Sequence, residues 1–186
     1  MLRAEDQIRK LAAVTGVLLM AAAEALAQEK QGRPAKRIVV SIPDRKLAVI
    51  DQGKVVKIYS TAVGAPKSPS PVGSFKIVEA LQNPTWYGKG KVVGPGSNNP
   101  IGTRWLGLSV KGYGIHGTNA PASIGHNVSH GCIRLRNRDV EELFTIVGTG
   151  DQVELYGERN AETAQLFGTP APATEIASAA TNSVER

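Results

Sequence analysis

The sequence has few of the residues that small proteins use for covalent or metal cross-links. Its 186 residues include one cysteine and three histidines, which excludes an intramolecular disulfide framework and a multi-cysteine zinc or iron–sulfur site. Aromatic residues make up only 5% of the chain, and no glycine-rich loop of the kind that holds nucleotide phosphates is present. A chain of this length can bury a hydrophobic core without such cross-links.

Long apolar runs are also scarce, and the longest lies near the N-terminus. Leu11 to Ala23 is an uncharged run of 13 residues, shorter than the about 20 residues that a membrane-spanning helix needs. Basic residues precede it, and Ala25-Leu26-Ala27 follows it; this is the pattern of a secretory signal peptide with its cleavage site. We predict a signal peptide at 1–27 and a polar linker at 28–35, and no integral membrane span after cleavage. The alternatives are an uncleaved anchor and an amphipathic helix.

Acidic side chains are outnumbered by basic ones. The chain has 22 Lys and Arg against 16 Asp and Glu, a net charge of +6. Such an excess suits nucleic acid, an anionic surface or an acidic polymer. An exported protein is not expected to meet nucleic acid, and the charges are dispersed apart from a cluster at Arg134, Arg136 and Arg138. We therefore expect no nucleic-acid partner.

The chain from Arg37 onward has the alternating apolar pattern of β-strands. Ile38–Ile42, Leu47–Ile50 and Lys54–Val63 are separated by turn residues, which predicts a three-stranded antiparallel meander. Glycine, proline and asparagine are frequent in residues 82–103, so this segment is predicted to be a long surface loop. Further strands are predicted at Gly73–Glu79, Trp105–Lys111, Tyr113–His116 and Gln152–Tyr156.

One helix is predicted between the last two of these strands. Val140, Leu143, Phe144 and Val147 form an apolar stripe at helical spacing, and Asn137 is the predicted N-cap. Residues 158–186 are rich in Ala, Thr, Ser and Pro and are predicted to be a mostly disordered tail. The predicted domain therefore covers residues 36–157 and is mainly β, with one main helix.

Reactive side chains are concentrated between Ile115 and Leu135, which include the only cysteine and all three histidines. Cys132 is the candidate nucleophile, because His130-Gly131 before it and the arginines at 134, 136 and 138 after it predict electropositive surroundings that favour a thiolate. An exported free thiol is also exposed to oxidation, so its presence needs a reason. The structural alternative is an inert, buried cysteine.

His116 is the candidate base, since the end of a hairpin allows the chain to return beside Cys132. The backbone N–H groups of Gly131 and Cys132 are candidate oxyanion donors, and His130 is expected to shape the pocket. Arg134 would bind a substrate carboxylate or form a structural ion pair.

A metal site is the weaker alternative for this segment. Imidazole and thiolate groups suit Zn²⁺ or Cu²⁺, and His126 would then join His116, His130 and Cys132. However, their spacing matches no common zinc pattern. We therefore assign no metal ligands and regard His126 as structural.

The segments Ile115-His116-Gly117-Thr118-Asn119 and Ser129-His130-Gly131-Cys132-Ile133-Arg134-Leu135 together resemble the active-site signature of the YkuD-type L,D-transpeptidases. In that signature a histidine precedes Ser or Thr followed by His-Gly-Cys. The earlier segment Asn83-Pro84-Thr85-Trp86-Tyr87 is similar to the same family, and the resemblance covers about residues 36–157. It implies a β-sandwich or flattened barrel with the cysteine loop at one edge and one main helix after it.

The resemblance also implies a two-step acyl transfer on peptidoglycan in the bacterial periplasm. Cys132 would attack the carbonyl of the third, L-centred diamino-acid residue of a stem tetrapeptide and expel D-Ala, and an amine would then resolve the thioester. His116 would be the base, oriented by the carbonyl of Gly117. Exchanging one amide for another needs no cofactor. The implied oxyanion site consists of Gly131, Cys132 and His130, and the implied substrate-binding residues are Arg134, Ser129 and Tyr113.

The acceptor is left open at this level. Peptidoglycan stem peptides are the expected partners, and a second stem peptide as acceptor would give a 3→3 cross-link. An outer-membrane protein could supply the amine instead, and water as acceptor would make the protein a cysteine hydrolase. A non-catalytic wall-binding module, with Cys132 in a structural role, is the remaining alternative.

Overall fold

Most of the chain is β-strand, as its alternating pattern predicts. The computed structural model describes residues 34–88 and 90–168, so the predicted signal peptide and the last part of the predicted tail lie outside the described residues. The strands are β1 Arg37–Ser41, β2 Lys46–Asp51, β3 Lys54–Ser60, β4 Val63–Gly64, β5 Gly73–Gln82, β6 Trp86–Gly88, β7 Lys91–Val93, β8 Arg104–Leu108, β9 Gly114–His116, β10 Asn127–Ser129, β11 Ile133–Arg134 and β12 Gln152–Tyr156. The helices are α1 Asn137–Ile146 and α2 Ala161–Phe167.

Eight of these strands form one sheet in the order β11-β9-β8-β5-β12-β1-β2-β3. The predicted meander β1-β2-β3 and the predicted hairpin β8-β9 are both confirmed as antiparallel pairs. The last strand, β12, pairs in parallel with β1 and antiparallel with β5, so it joins the two halves of the sheet. The sheet curls into half a barrel, and the mainly β prediction is confirmed.

The core lies on both faces of the sheet. Ile38 and Val40 of β1 point into the main cluster, together with Val140 and Leu143 of α1. Val39, between them in sequence, points to the opposite face and a smaller cluster, because successive side chains of a strand alternate between faces. Both faces of β1 are therefore covered, which explains its continuous apolar run.

The helix predicted after the cysteine loop is confirmed as α1, but its N-cap is not Asn137. The cap position is held by Arg136, whose side chain makes no capping hydrogen bond, and Asn137 is the first helical residue. The side chain of Asn137 instead accepts a hydrogen bond from the backbone N–H of Thr118 at 3.0 Å. In the described part of the chain, no helix has the length and apolarity of a membrane span.

The prediction of a long surface loop at 82–103 is wrong in part, because this segment contains the short hairpin β6-β7. The buried side chain of Asn99 holds the segment together. Its Nδ2 donates to the carbonyl of Pro84 at 2.7 Å, and its Oδ1 accepts from the N–H of Ile101 at 3.0 Å. The side chain of one residue thus supplies partners for backbone groups that lie outside the hairpin.

The prediction of a disordered tail is wrong for residues 158–168. They contain α2, which begins with a capping box between Asn160 and Thr163. Phe167, at the end of this helix, is only 9% exposed. It packs on the second face of the sheet, against Val39, Ala48 and Ile50. A helix of seven residues is too short to show a clear apolar period in sequence.

Replacing Phe167 by alanine tests whether α2 belongs to the folded domain. We expect Phe167→Ala to lower the free energy of unfolding by about 3 kcal/mol, because it leaves a cavity against the sheet. Gln165→Ala, at an exposed position of the same helix, is the matched control and should change it by less than about 0.5 kcal/mol. Urea denaturation measures both values. Equal stability of the two variants would contradict the packing of α2 on the sheet.

Candidate active site

The pairing of β9 with β11 brings the predicted nucleophile and base to one face of the sheet. These strands are parallel, with Ile133 opposite Ile115 and Arg134 opposite His116. The two isoleucines are buried in the main core, at 1% and 0% exposure. Their neighbours must therefore point to the opposite face. Cys132, Arg134 and His116 share that face.

His116 is held in one orientation by its surroundings. Its ring is 4% exposed, and its Nδ1 lies 2.5 Å from the carbonyl oxygen of Gly117. Because a carbonyl only accepts, Nδ1 carries the proton and Nε2 is left as the basic nitrogen. Trp105, opposite His116 on β8, stacks on the ring with 5.7 Å between centroids and 26° between planes.

Burial makes His116 a neutral base. It lowers the pKa of His116 to about 4; the Gly117 carbonyl opposes this shift, and the positive charge of Arg134 adds to it. The ring is therefore uncharged at neutral pH. A neutral imidazole can accept a proton, and once protonated it releases that proton readily.

The Cys132 thiol does not have the lowered pKa that its basic neighbours predict. Burial raises the pKa of Cys132, and a backbone hydrogen bond from Gly114 and the charge of Arg134 oppose that shift without cancelling it. Arg136 and Arg138 instead pair with Asp139. The site thus contains a neutral thiol beside a neutral imidazole, with Arg134 as the cation that acts on both.

Arg134 lies in this site with part of its guanidinium unpaired. Its Nε is buried and has no hydrogen-bond partner among the residues that the structure describes. Desolvation lowers its pKa, and proximity to Cys132 raises it. A partly buried cation without a counter-ion is suited to bind an anionic group of a ligand. Within the described ranges, Arg134 forms no structural ion pair.

The loop before Cys132 depends on Gly131. This residue has a φ of 108°, which disfavours any side chain, and an added Cβ would lie 2.5 Å from the ring of Tyr113. Ser129 stabilises the same loop through two hydrogen bonds of its side chain. Its Oγ accepts from the N–H of Gly131 at 3.0 Å and donates to the carbonyl of Cys132 at 2.6 Å.

These contacts bear on three of the predicted roles. The N–H of Gly131 donates to Oγ of Ser129 in this structure. Ser129 is buried and supports the loop rather than lining an open surface. Tyr113 packs against the main core and beside Gly131. The N–H of Cys132, which donates to no backbone oxygen of the described residues, remains the candidate oxyanion donor.

The other two histidines differ from His116 in their exposure. His130 and His126 are both exposed on the loop that precedes Cys132. In residues 34–88 and 90–168, no group of three or more His, Cys, Asp or Glu side chains could hold a metal ion. The structure therefore brings together Cys132, His116 and Arg134, and leaves His130 at the rim.

Asn137 contributes to the site, whereas the sequence analysis predicted it as the N-cap of the helix. A Cβ on Gly102 or on Gly117 would clash with its Oδ1, so the two glycines make room for this side chain. The same oxygen accepts from Thr118 N–H. Asn137 thereby fixes the turn whose Gly117 carbonyl orients His116. In the sequence, the glycines at positions 102 and 117 were the signal that could have indicated this close packing.

The comparisons with known proteins agree with this geometry. Residues 35–155 match the YkuD family of L,D-transpeptidase catalytic domains. This match covers well over half of the chain, and the chain belongs to that family. The resemblance found in the motif is thereby confirmed.

Several relatives are similar over the same region. YkuD of Bacillus licheniformis, named as an L,D-transpeptidase, is 44% identical over 64% of this chain and 64% of its own length. YqjB of Bacillus subtilis, named in the same way, is 40% identical over 62% of this chain and 68% of its own length. This chain thus spans slightly less than two thirds of the Bacillus licheniformis protein.

Solved structures show the same fold. L,D-transpeptidase 3 from Mycobacterium tuberculosis, in complex with a faropenem-derived adduct, is 27% identical with a TM-score of 0.55, over 67% of this chain and 61% of that one. The Ldtfm–avibactam carbamoyl enzyme is 25% identical with a TM-score of 0.58, over 68% of this chain and 50% of that one. Both support the mainly β architecture described above.

The lowered pKa of His116 predicts acid sensitivity of the fold. Below about pH 6.5 the unfolded chain binds a proton at this histidine, whereas the folded chain does so only near its pKa of about 4. Acidification from pH 7 to 4 should therefore cost about 3 kcal/mol of stability through this group. Urea denaturation across this range should show the loss in the wild type and a smaller one in His116→Asn. His126→Asn, at an exposed histidine, should follow the wild type; a His116→Asn profile parallel to the wild type would contradict the assignment.

The raised pKa of Cys132 predicts the pH dependence of its alkylation. Because this is the only cysteine, iodoacetamide reports its thiolate directly, and the rate should still increase at pH 9. Arg134→Gln removes a charge that favours the thiolate and should slow alkylation at pH 8 by about threefold or more. Arg138→Gln, at an exposed arginine, should have no effect. A rate that is already constant below pH 7 would indicate a thiolate–imidazolium pair instead.

Proposed function

We propose that this protein is a cysteine L,D-transpeptidase that acts on peptidoglycan stem peptides. The observation that carries the proposal is the placement of Cys132, neutral His116 and unpaired Arg134 on one face of an L,D-transpeptidase fold. This arrangement supplies a nucleophile, a base and a site for a substrate anion. Family membership supplies the substrate class.

The first step forms a thioester. Sγ of Cys132 attacks the carbonyl carbon of the third stem residue while Nε2 of His116 takes the thiol proton. A neutral thiol and a neutral imidazole suit this concerted step, because burying two uncharged groups costs little solvation free energy before the attack. The tetrahedral intermediate then expels the amine of D-Ala, which receives the proton from His116. The low pKa of the imidazolium favours that transfer.

The second step resolves the thioester. An acceptor amine attacks the same carbonyl and gives its proton to His116, and the proton then returns to the departing sulfur of Cys132. The N–H of Cys132 would stabilise the oxyanion in both steps. Arg134 would bind a carboxylate of the donor and keep the scissile bond over the thiol.

Two acceptor amines and one cellular location are proposed for this reaction. A second stem peptide would give a 3→3 cross-link, and an outer-membrane protein would give an anchored protein. The proposed location is the periplasm, and the predicted signal peptide at 1–27 supports export of the protein. One related enzyme carries a faropenem-derived adduct, and we expect a penem to acylate this protein at Cys132 as well.

Mass spectrometry of the chain from Gln28 onward, incubated with a disaccharide-tetrapeptide, tests the proposal. The expected product is a 3→3 dimer with loss of one D-Ala. Cys132→Ala should give no product, and His126→Asn should keep the wild-type yield. A tripeptide without dimer would favour the hydrolase. No product from a protein whose thiol is freely alkylated would count against this substrate.

A further inference from the structure

The face that carries Cys132 continues across four strands of the sheet. Gly114 of β9 lies opposite Gly107 of β8, and Gly107 lies opposite Glu79 of β5. Cys132 precedes Ile133, the partner of Ile115, and so lies level with Gly114. This row therefore has side chains at its two ends, Cys132 and Glu79, and none between them.

The indole of Trp105 fills the space above the two glycines. An added Cβ would lie 2.6 Å from the indole at Gly114 and 2.9 Å from Nε1 at Gly107. The indole Nε1–H donates to Oε2 of Glu79 at 2.9 Å, and the ring also stacks on His116. Trp105 thus forms a fixed, partly exposed apolar platform.

The platform connects the thiol to a carboxylate. At one end, a backbone hydrogen bond links Gly114 to Cys132. At the other, Oε2 of Glu79 lies 3.3 Å from the position of a Cβ on Gly107. Gly107 is two strands away from Cys132, which corresponds to about 10 Å. Glu79 is exposed and forms no salt bridge with a cation of the described residues.

The dimensions fit one chemical group of the proposed donor. In a diamino acid with a six-carbon chain, six bonds separate the carbonyl carbon from the side-chain nitrogen, which is about 7 Å when extended. A hydrogen bond from that nitrogen adds about 3 Å, and the sum is close to the spacing of about 10 Å between Cys132 and Gly107, beside which the Glu79 carboxylate lies. The methylene groups between would lie on the indole.

We propose that Glu79 and Trp105 form a subsite for the side-chain ammonium of the donor residue whose carbonyl Cys132 attacks. Glu79 supplies the charge and Trp105 supplies the apolar floor, to which a nearby cation is also attracted. This inference rests on the proposed function and adds a specificity residue to it. The free carboxylate oxygen of Glu79 is the atom that would receive the ammonium.

Glu79→Gln is the sharpest variant, because glutamine keeps an oxygen for the indole N–H and loses only the charge. Two donors are compared: a tetrapeptide stem with a free side-chain amine and the same stem with that amine acetylated. We expect the wild type to prefer the free amine in kcat/KM for D-Ala release, mainly through KM. Glu79→Gln should reduce this preference by about fivefold to tenfold. Glu158→Gln removes the same charge at an exposed turn and should retain the preference.

Two results would overturn the subsite. One is an unchanged preference in Glu79→Gln. The other is an equal loss on both donors accompanied by slower alkylation of Cys132, which would show that Glu79 acts only by positioning Trp105 and His116.

Binding separates this inference from the proposed function. Calorimetry on Cys132→Ala protein compares the free-amine and acetylated tetrapeptides without turnover. The subsite is supported if Cys132→Ala binds the free-amine peptide more tightly and the double variant Cys132→Ala, Glu79→Gln loses this preference. This holds even if the wild type releases no D-Ala, because the absence of D-Ala release would overturn only the proposed transpeptidase activity. Equal binding of both peptides contradicts the subsite.

Discussion

The active site depends on the register between two very short strands, β9 and β11. Ile115 and Ile133 are buried opposite each other, and a shift of either strand by one residue would turn that strand's isoleucine out of the core. The same register sends His116 and Cys132 to the open face. Core packing therefore fixes which face carries the candidate nucleophile and base, and no direct attraction between the two side chains is needed.

Desolvation is the main electrostatic effect at this site. It holds His116 uncharged, an effect to which the charge of Arg134 adds, and it keeps the Cys132 thiol protonated although the same charge opposes this. Among the described residues, Arg134 forms no salt bridge and its Nε has no hydrogen-bond partner, so its charge is available to a ligand. The chemistry proposed above then starts from two neutral groups and creates charge only as the bond forms.

Backbone and aromatic contacts replace the carboxylate that often orients a catalytic histidine. The carbonyl of Gly117 fixes the tautomer, and Asn137 holds the turn that carries it. Trp105 fixes the plane of the ring and reaches Glu79 through its indole N–H. The contacts that orient the base thus continue into the surface on which we propose the donor side chain lies.

The sequence by itself determined the meander, α1 and the family, because these depend on local alternation and on a compact motif. The roles of Cys132 and His116 are predictions from the same motif. It did not determine α2, whose stability comes from burying Phe167 against the sheet. It also misassigned Asn137 as the N-cap of α1. The hydrogen bonds of Asn137, Ser129 and the Gly131 N–H link segments or loop atoms that only the folded chain brings together. The pKa of Cys132 was decided by tertiary structure for the same reason: sequence shows the nearby charges, whereas burial, the larger effect, exists only in the fold.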